Sequence, residues 1–394
     1  MTNNPKRIVA AAVILFSAFS TRDIAAQELA QNPPAKVLKG NEKPKKGEKA
    51  PGPKVLTGEE RMAAEVAKGL KALKATEALF TTATPLKLSL TTNIRKIRGD
   101  KGDNPPWRPA KISYIDDAGK TVEVPTQIRT RGIWRRKNCD FPPIRLNFKS
   151  ELVKGTVLRG LDKPKLTNFC RDTDPYEQYM LSEMQLYRIY NLLTPASHRV
   201  RLIELTYVDS ASAKVHAKRY AFIIEEGEAV GARFKAAIYP EKGATMSDLE
   251  PDANALMSLF QYFIGNTDFS VNGLHNVELV YQPTGQMIPI AFDFDFAGAV
   301  NTTYATPDPS LNLGKVRDRL YRGYCQEPES YQKAIAIFNA KKQAIYDLYS
   351  DPVGQLIKAD RTRETLKYFD DFYKTINDPK RAKREIADSC VPSN

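Results

Sequence analysis

Four oxygen-bearing side chains in the back half of the chain have types and spacing suited to a hard cation: Asp268, Asn276, Asp293 and Asp295. Asp293 and Asp295 follow the apolar run Ile288-Pro289-Ile290-Ala291-Phe292, and residues two apart on a strand point to the same side. Two neighbouring carboxylates repel each other unless a cation or a basic group joins them. Magnesium or manganese takes oxygen ligands of this kind, with the Asn276 amide and a substrate phosphate as further ligands. Phosphoryl transfer uses such a set, together with a carboxylate that accepts the nucleophile's proton and a cation on the phosphates. Calcium binding or simple turn capping draws on the same residues, so the local motif leaves those readings open.

Other groups weigh against or beside this chemistry. Arg129 and Arg131 share a strand face just before Gly132, which makes them candidates for contact with an anion. The run Arg135-Arg136-Lys137 beside Cys139 reads as a solvated hairpin face. His275 is expected to make a structural hydrogen bond beside Asn276. Tyr176, Tyr179, Tyr187 and Tyr190 read as a core stripe of a helix.

The elements that must position these residues follow from periodicity. A capping box, Thr57 with Glu60, opens a helix over about 58–79, and Leu86, Leu88 and Leu90 then alternate as a half-buried strand. A hairpin turns at Asp116-Asp117-Ala118-Gly119, with further strands at 144–148 and 165–169. A long helix over 176–193 precedes strands at 201–208 and 219–225, and another helix covers about 250–264. Strands at 277–281 and 287–292 flank the turn Pro283-Thr284-Gly285, and the rear turns helical at about 328–349 and 362–377. The chain is thus a sheet-rich front, a long helix, more strands and a mainly helical rear, in one large domain or two lobes.

The N-terminus has the pattern of an export signal over residues 1–26: basic Lys6 and Arg7, the apolar run Ile8–Ser20, and a small-residue end at Ile24-Ala25-Ala26. An uncleaved anchor is the competing reading. Residues 27–56 read as a disordered Lys/Pro-rich tether, and segment 36–54 holds seven lysines against two glutamates. The net charge of +13 does not point to nucleic acid, because that segment has no aromatic residues to stack on bases; a polyanion or envelope contact fits it better. Cys139, Cys170, Cys325 and Cys390 form no Cys-x-x-Cys pair, so in a periplasmic or extracellular chain they imply two disulfides. Three connectivities exist, and proximity favours Cys139 with Cys170 and Cys325 with Cys390. Nothing in the sequence bears on oligomeric state.

Several stretches together resemble the secreted spore-coat-protein-H (CotH) kinase-like family, over roughly residues 85–300. They are Arg129-Thr130-Arg131-Gly132 after a hairpin, the basic strand around Arg145–Lys149, the long helix after Asp172–Tyr176, Tyr220–Glu225, and the stretch from Gly265 to Gly298, in which the order Asp, Asn, Asp matches the order of those parts in protein kinases. The resemblance implies an α+β, two-lobed protein-kinase-like fold within 57–394, with an antiparallel-sheet front lobe over about 57–225 and a mainly helical rear lobe over about 226–394. It implies ATP with Mg2+ or Mn2+, and a protein or cell-envelope acceptor. Asp268 becomes the catalytic base, Asn276 a metal ligand with Asn272 as its competitor, and Asp293 or Asp295 the main metal carboxylate. No glycine-rich phosphate loop is present, so Arg129, Arg131, Arg135 and Arg136 are left to contact phosphate by charge. The nucleotide lysine is either replaced by Arg145 or supplied by Lys165, with Glu183 as its ion-pair partner. The implied function is that of an exported metal-dependent phosphotransferase. An inactive exported binding protein and a calcium-stabilised surface protein are the alternatives.

Overall fold

Alternating apolar residues in the front part of the chain drive seven strands to share one interior, and helices and a small second sheet follow. The computed structural model describes residues 58–392. The expected signal, the tether and the Thr57 cap lie outside the described residues. The first helix, α1 (Gly58–Thr81), runs into β1 (Leu86–Thr92), β2 (Arg108–Ile115) and β3 (Thr121–Thr130). A short helix, α2 (Trp134–Asn138), stands between β3 and β4 (Ile144–Asn147), and β5 (Lys165–Asn168) precedes the long helix α3 (Asp174–Leu193). Strands β6 (Val200–Asp209) and β7 (Val215–Ile224) complete this part.

These strands form a closed barrel in the order β1-β2-β3-β4-β5-β7-β6. Its neighbours are antiparallel except at the closure, where β1 runs parallel to β6 from Leu86↔Ile203 to Thr92↔Asp209. This corrects the expected two-lobed kinase-like arrangement with an open antiparallel sheet, although the mixed α+β content stands. Both edges of β1 are taken, one by β2 and one by β6, and closure leaves the barrel without an unpaired edge. Leu88, Leu90, Ile112, Val124, Ile128 and Ile203 alternate inward and are buried in its interior.

Beyond the barrel, β8 (Ala237–Tyr239) joins β9 (Val277–Tyr281) and β10 (Met287–Ala291) in a sheet of order β10-β9-β8. Helix α4 (Pro251–Ile264) begins where the Glu250 carboxylate accepts from the backbone N–H groups of Asp252 and Ala253, and it ends at Gly265 with φ +65°. Only glycine suits that end: a Cβ on Gly265 would lie 2.0 Å from the Tyr368 hydroxyl. Helices α5 (Pro328–Asp347) and α6 (Ala359–Ile376) pack on α4 through aromatic contacts, with Phe263 5.2 Å from Phe338 and stacked on Phe369 at 4.2 Å, while α3 stacks on α4 through Tyr190 and Phe260 at 4.2 Å.

Both favoured disulfides form, Cys139–Cys170 and Cys325–Cys390, and no described cysteine is free. Among the described residues no helix is long and apolar enough to cross a membrane. Disulfides persist in oxidising compartments, so the pair fits an exported chain.

Candidate functional site

The chemistry collects where β10 ends, against α2 and α3. The β9–β10 ladder closes with Ala291 opposite Val277, and the Phe292 N–H donates to the Asn276 carbonyl at 3.0 Å. Asn276 (φ 54°) and Asp293 (φ 62°) both take left-handed backbone, a region that asparagine and aspartate visit more readily than most residues. The Asp293 N–H donates to the Tyr187 hydroxyl at 2.8 Å, which fixes the turn to α3. Strand alternation was the expected reason for Asp293 and Asp295 to point the same way. That reason fails, because β10 stops at Ala291 and both aspartates stand on the irregular turn beyond it. They converge nonetheless.

Their meeting point is Arg135. Each nitrogen of its guanidinium faces a different carboxylate: Nη1 lies 3.0 Å from Glu183, Nη2 bonds Asp293, and Nε lies 3.3 Å from Asp295. One carboxylate oxygen from each of these three acids lies within 4.8 Å of the other two. Arg131 stands 3.8 Å from Asp293 and donates to the Thr167 hydroxyl at 2.7 Å. The Tyr304 hydroxyl donates to Asp295 at 3.1 Å, and Trp134 stacks on the Tyr304 ring at 4.6 Å.

Burial raises the carboxyls of Glu183 and Asp295, and Asp293 and Glu183 add repulsion at Asp295 that Arg135 does not overcome. Burial opposes ionisation of Asp293 as well, but Arg135 and Arg131 outweigh it and hold that carboxyl below its ordinary value. Asp293 is therefore the member of the pair that ionises more readily.

Two expectations about basic residues are overturned here. The run Arg135-Arg136-Lys137 is not a solvated hairpin face: Arg135 and Arg136 are buried on α2, and only Lys137 of the three is exposed. The Cys139–Cys170 bridge at the end of α2 ties that helix against the chain just before α3. The expected Lys165–Glu183 ion pair also does not form. Lys165 bonds Glu278 at 2.9 Å and lies 3.7 Å over the Phe292 ring, because Arg135 has taken Glu183. His198, buried, donates from Nδ1 to the Glu225 carbonyl (2.8 Å) and turns Nε2 toward Glu278 at 3.6 Å.

Lys165 and Glu278 line a cavity of about 190 Å³ with Arg145, Lys163, Ile238 and the segment Ile224–Glu228. Arg129, Arg145 and Lys165 are direct cross-strand neighbours on β3, β4 and β5, so the three cations share one barrel face. Arg129 itself stacks over Trp107 at 4.6 Å and does not reach the carboxylates.

Asp268 occupies the more open side. Its carboxylate meets His275 Nε2 at 2.8 Å and accepts from the Asn276 amide at 3.1 Å, and that amide also donates to the Asp268 carbonyl at 2.8 Å. Asn272 is turned away toward Gly243 and Ala244, so of the two asparagines Asn276 is the one beside Asp268. His275 thus makes the expected structural bond, although its partner is the aspartate itself. Of the tyrosine stripe, Tyr179, Tyr187 and Tyr190 are core, but the Tyr187 hydroxyl also reaches the site.

Sequence reasoning missed Arg135 as the centre, Tyr304, Glu278 and His198. The one available signal for Arg135 was its place four residues before a bridged cysteine. No family model, no curated protein and no solved structure matches this chain.

Proposed function

We propose that this chain is an exported, metal-dependent phosphotransferase that takes its phosphoryl group from a nucleotide and passes it to a protein or cell-envelope acceptor. The observation that carries the reading is the buried triad Glu183, Asp293 and Asp295; a cavity lined by Arg145, Lys163 and Lys165 together with four glutamates, and the loop that bears Asp268, supply the other parts. The donor set fits magnesium or manganese: three carboxylates with ligand atoms within 4.8 Å, and one oxygen, Glu183 Oε1, that is buried without a hydrogen-bond partner. A divalent ion, when bound there, supplies charge against phosphate oxygens. Lys165, Arg145 and Lys163 line the cavity in which a nucleotide's phosphates find cationic partners. Asp268, partly exposed and oriented by His275 and Asn276, takes the proton of the acceptor hydroxyl. The likeness of the Gly265–Gly298 stretch to the CotH kinase-like family points the same way.

A second reading, an exported binding protein without turnover, draws on a specific observation. Both Asp268 oxygens already have partners, and Arg135 engages all three triad carboxylates. Nucleotide binding by the purified protein with Mn2+, Mg2+ or Ca2+, compared with D268A and D295A, separates the readings. Binding that survives D268A, is lost in D295A, and comes with phosphoryl transfer by the wild type alone is the expected result. Binding without transfer selects the second reading, and no nucleotide binding with any metal refutes the first.

A further inference from the structure

Arg135 is a buried cation with no surface role: its residue is 7% exposed, and its three nitrogens are shared out one to each carboxylate of the triad. That is the arrangement a metal ion would impose, since oxygens 2.0–2.6 Å from one centre lie no more than about 5 Å apart. The guanidinium and a divalent ion therefore seek the same position. The match is incomplete in two respects. Two guanidiniums face three acidic groups, of which Arg131 reaches only Asp293, and Glu183 Oε1 is left buried with no hydrogen-bond partner in a residue only 1% exposed.

The chain that leads into the helix bearing Arg135 lies at the surface. Arg135 sits in the first turn of the five-residue helix α2, which follows Gly132 (φ +82°) and Ile133, whose side chain is 70% exposed. Neither residue is buried, and the helix itself is held by the Trp134 ring stacked on Tyr304 and by Arg136 paired with Asp103. The far end is fixed, by the Cys139–Cys170 bridge and by the Cys139 N–H donating to the Arg135 carbonyl at 2.9 Å.

We propose that Arg135 is a resident counter-cation that a divalent metal must displace from Glu183, Asp293 and Asp295, so that it holds the site closed until the metal enters. The proposal rests on the metal-dependent reading above and adds to it the competition between guanidinium and metal. Displacement leaves the metal with a +2 charge in place of +1 and brings Glu183 Oε1 within reach of a cation. The released guanidinium is then an unpaired fork suited to an anion.

The test is a Mn2+ titration followed by electron paramagnetic resonance on the full disulfide-bonded chain, in wild type, R135Q and R135Q/E183Q. The expected result is affinity for Mn2+ at least tenfold higher in R135Q than in wild type, and loss of that gain in the double variant. Equal affinity in wild type and R135Q overturns the displacement and leaves metal dependence standing; no Mn2+ binding by either overturns both. A crystal of the wild type soaked in Mn2+ decides the matter even if R135Q fails to fold. Anomalous density among the three carboxylates with Arg135 turned away supports displacement, whereas an ion elsewhere, or Arg135 still on all three, overturns it.

Discussion

Replacing Glu278 by glutamine should destabilise the protein strongly at neutral pH and weakly in acid. Burial alone would raise the Glu278 carboxyl, but the Lys165 ammonium 2.9 Å away and the His198 ring outweigh it and hold the carboxyl at about 2, against an ordinary value of 4.5. A carboxyl whose folded value is depressed contributes stability that is fully present above its unfolded value and is lost as pH falls through the folded one. The shift corresponds to roughly 3 kcal/mol at pH 7, from about 1.4 kcal/mol per tenfold change. Glu278 and Lys165 keep 24% and 18% of their side-chain surface, so water screens part of this and about 2 kcal/mol is the working figure. By the same linkage the contribution falls to less than half near pH 3 and almost to nothing at pH 2. Urea unfolding of wild type and E278Q at pH 7, 5 and 3, followed by far-UV circular dichroism, measures the gap directly. A gap of similar size at all three pH values would refute the reasoning, because it would mean that Glu278 contributes by packing rather than by its charge.

Asp293 and Asp295 should respond differently to loss of charge. D293N removes the ionised partner of Arg135 and Arg131 and leaves two buried cations undercompensated, for a cost of about 3–5 kcal/mol. D295N puts a neutral group where burial already opposes the charge, so it should cost less than D293N while metal binding is lost; calorimetric unfolding with and without Mn2+ checks both. Paired replacement of Cys139 and Cys170 by alanine opens a loop of 31 residues and should lower stability by about 3–4 kcal/mol, read from the urea midpoint. The same change frees the fixed end of α2 and should loosen Arg135, visible as faster amide exchange over residues 134–139.

Local pattern was enough for the longer elements, but not for α2 (Trp134–Asn138), which read as a hairpin face, nor for β8 (Ala237–Tyr239). The helix expected over 176–193 runs over Asp174–Leu193, the hairpin strands stand on either side of the turn Pro283-Thr284-Gly285, and the helix expected over about 250–264 runs over Pro251–Ile264. The cysteine bridges followed from neighbourhood along the chain. Asp293 and Asp295 were legible as a pair because carboxylates at the end of an apolar run need a cation, but the structure joins them to Glu183 while Asp268 pairs with His275 and Asn276. Pairings between distant segments were not legible. Nothing in Leu86–Thr92 announces that its second edge meets Val200–Asp209 in parallel, and that one pairing turns an open sheet into a barrel. Glu183 shows the same limit at the site. From sequence it could serve any nearby cation, and only the fold brings Arg135 to it from 48 residues upstream while Glu278, 113 residues away from Lys165, claims the lysine. A run of three basic residues reads as solvated because isolated charges are costly to bury; Arg135 is buried because three carboxylates from two distant parts of the chain meet it there, and that is a property of tertiary structure alone.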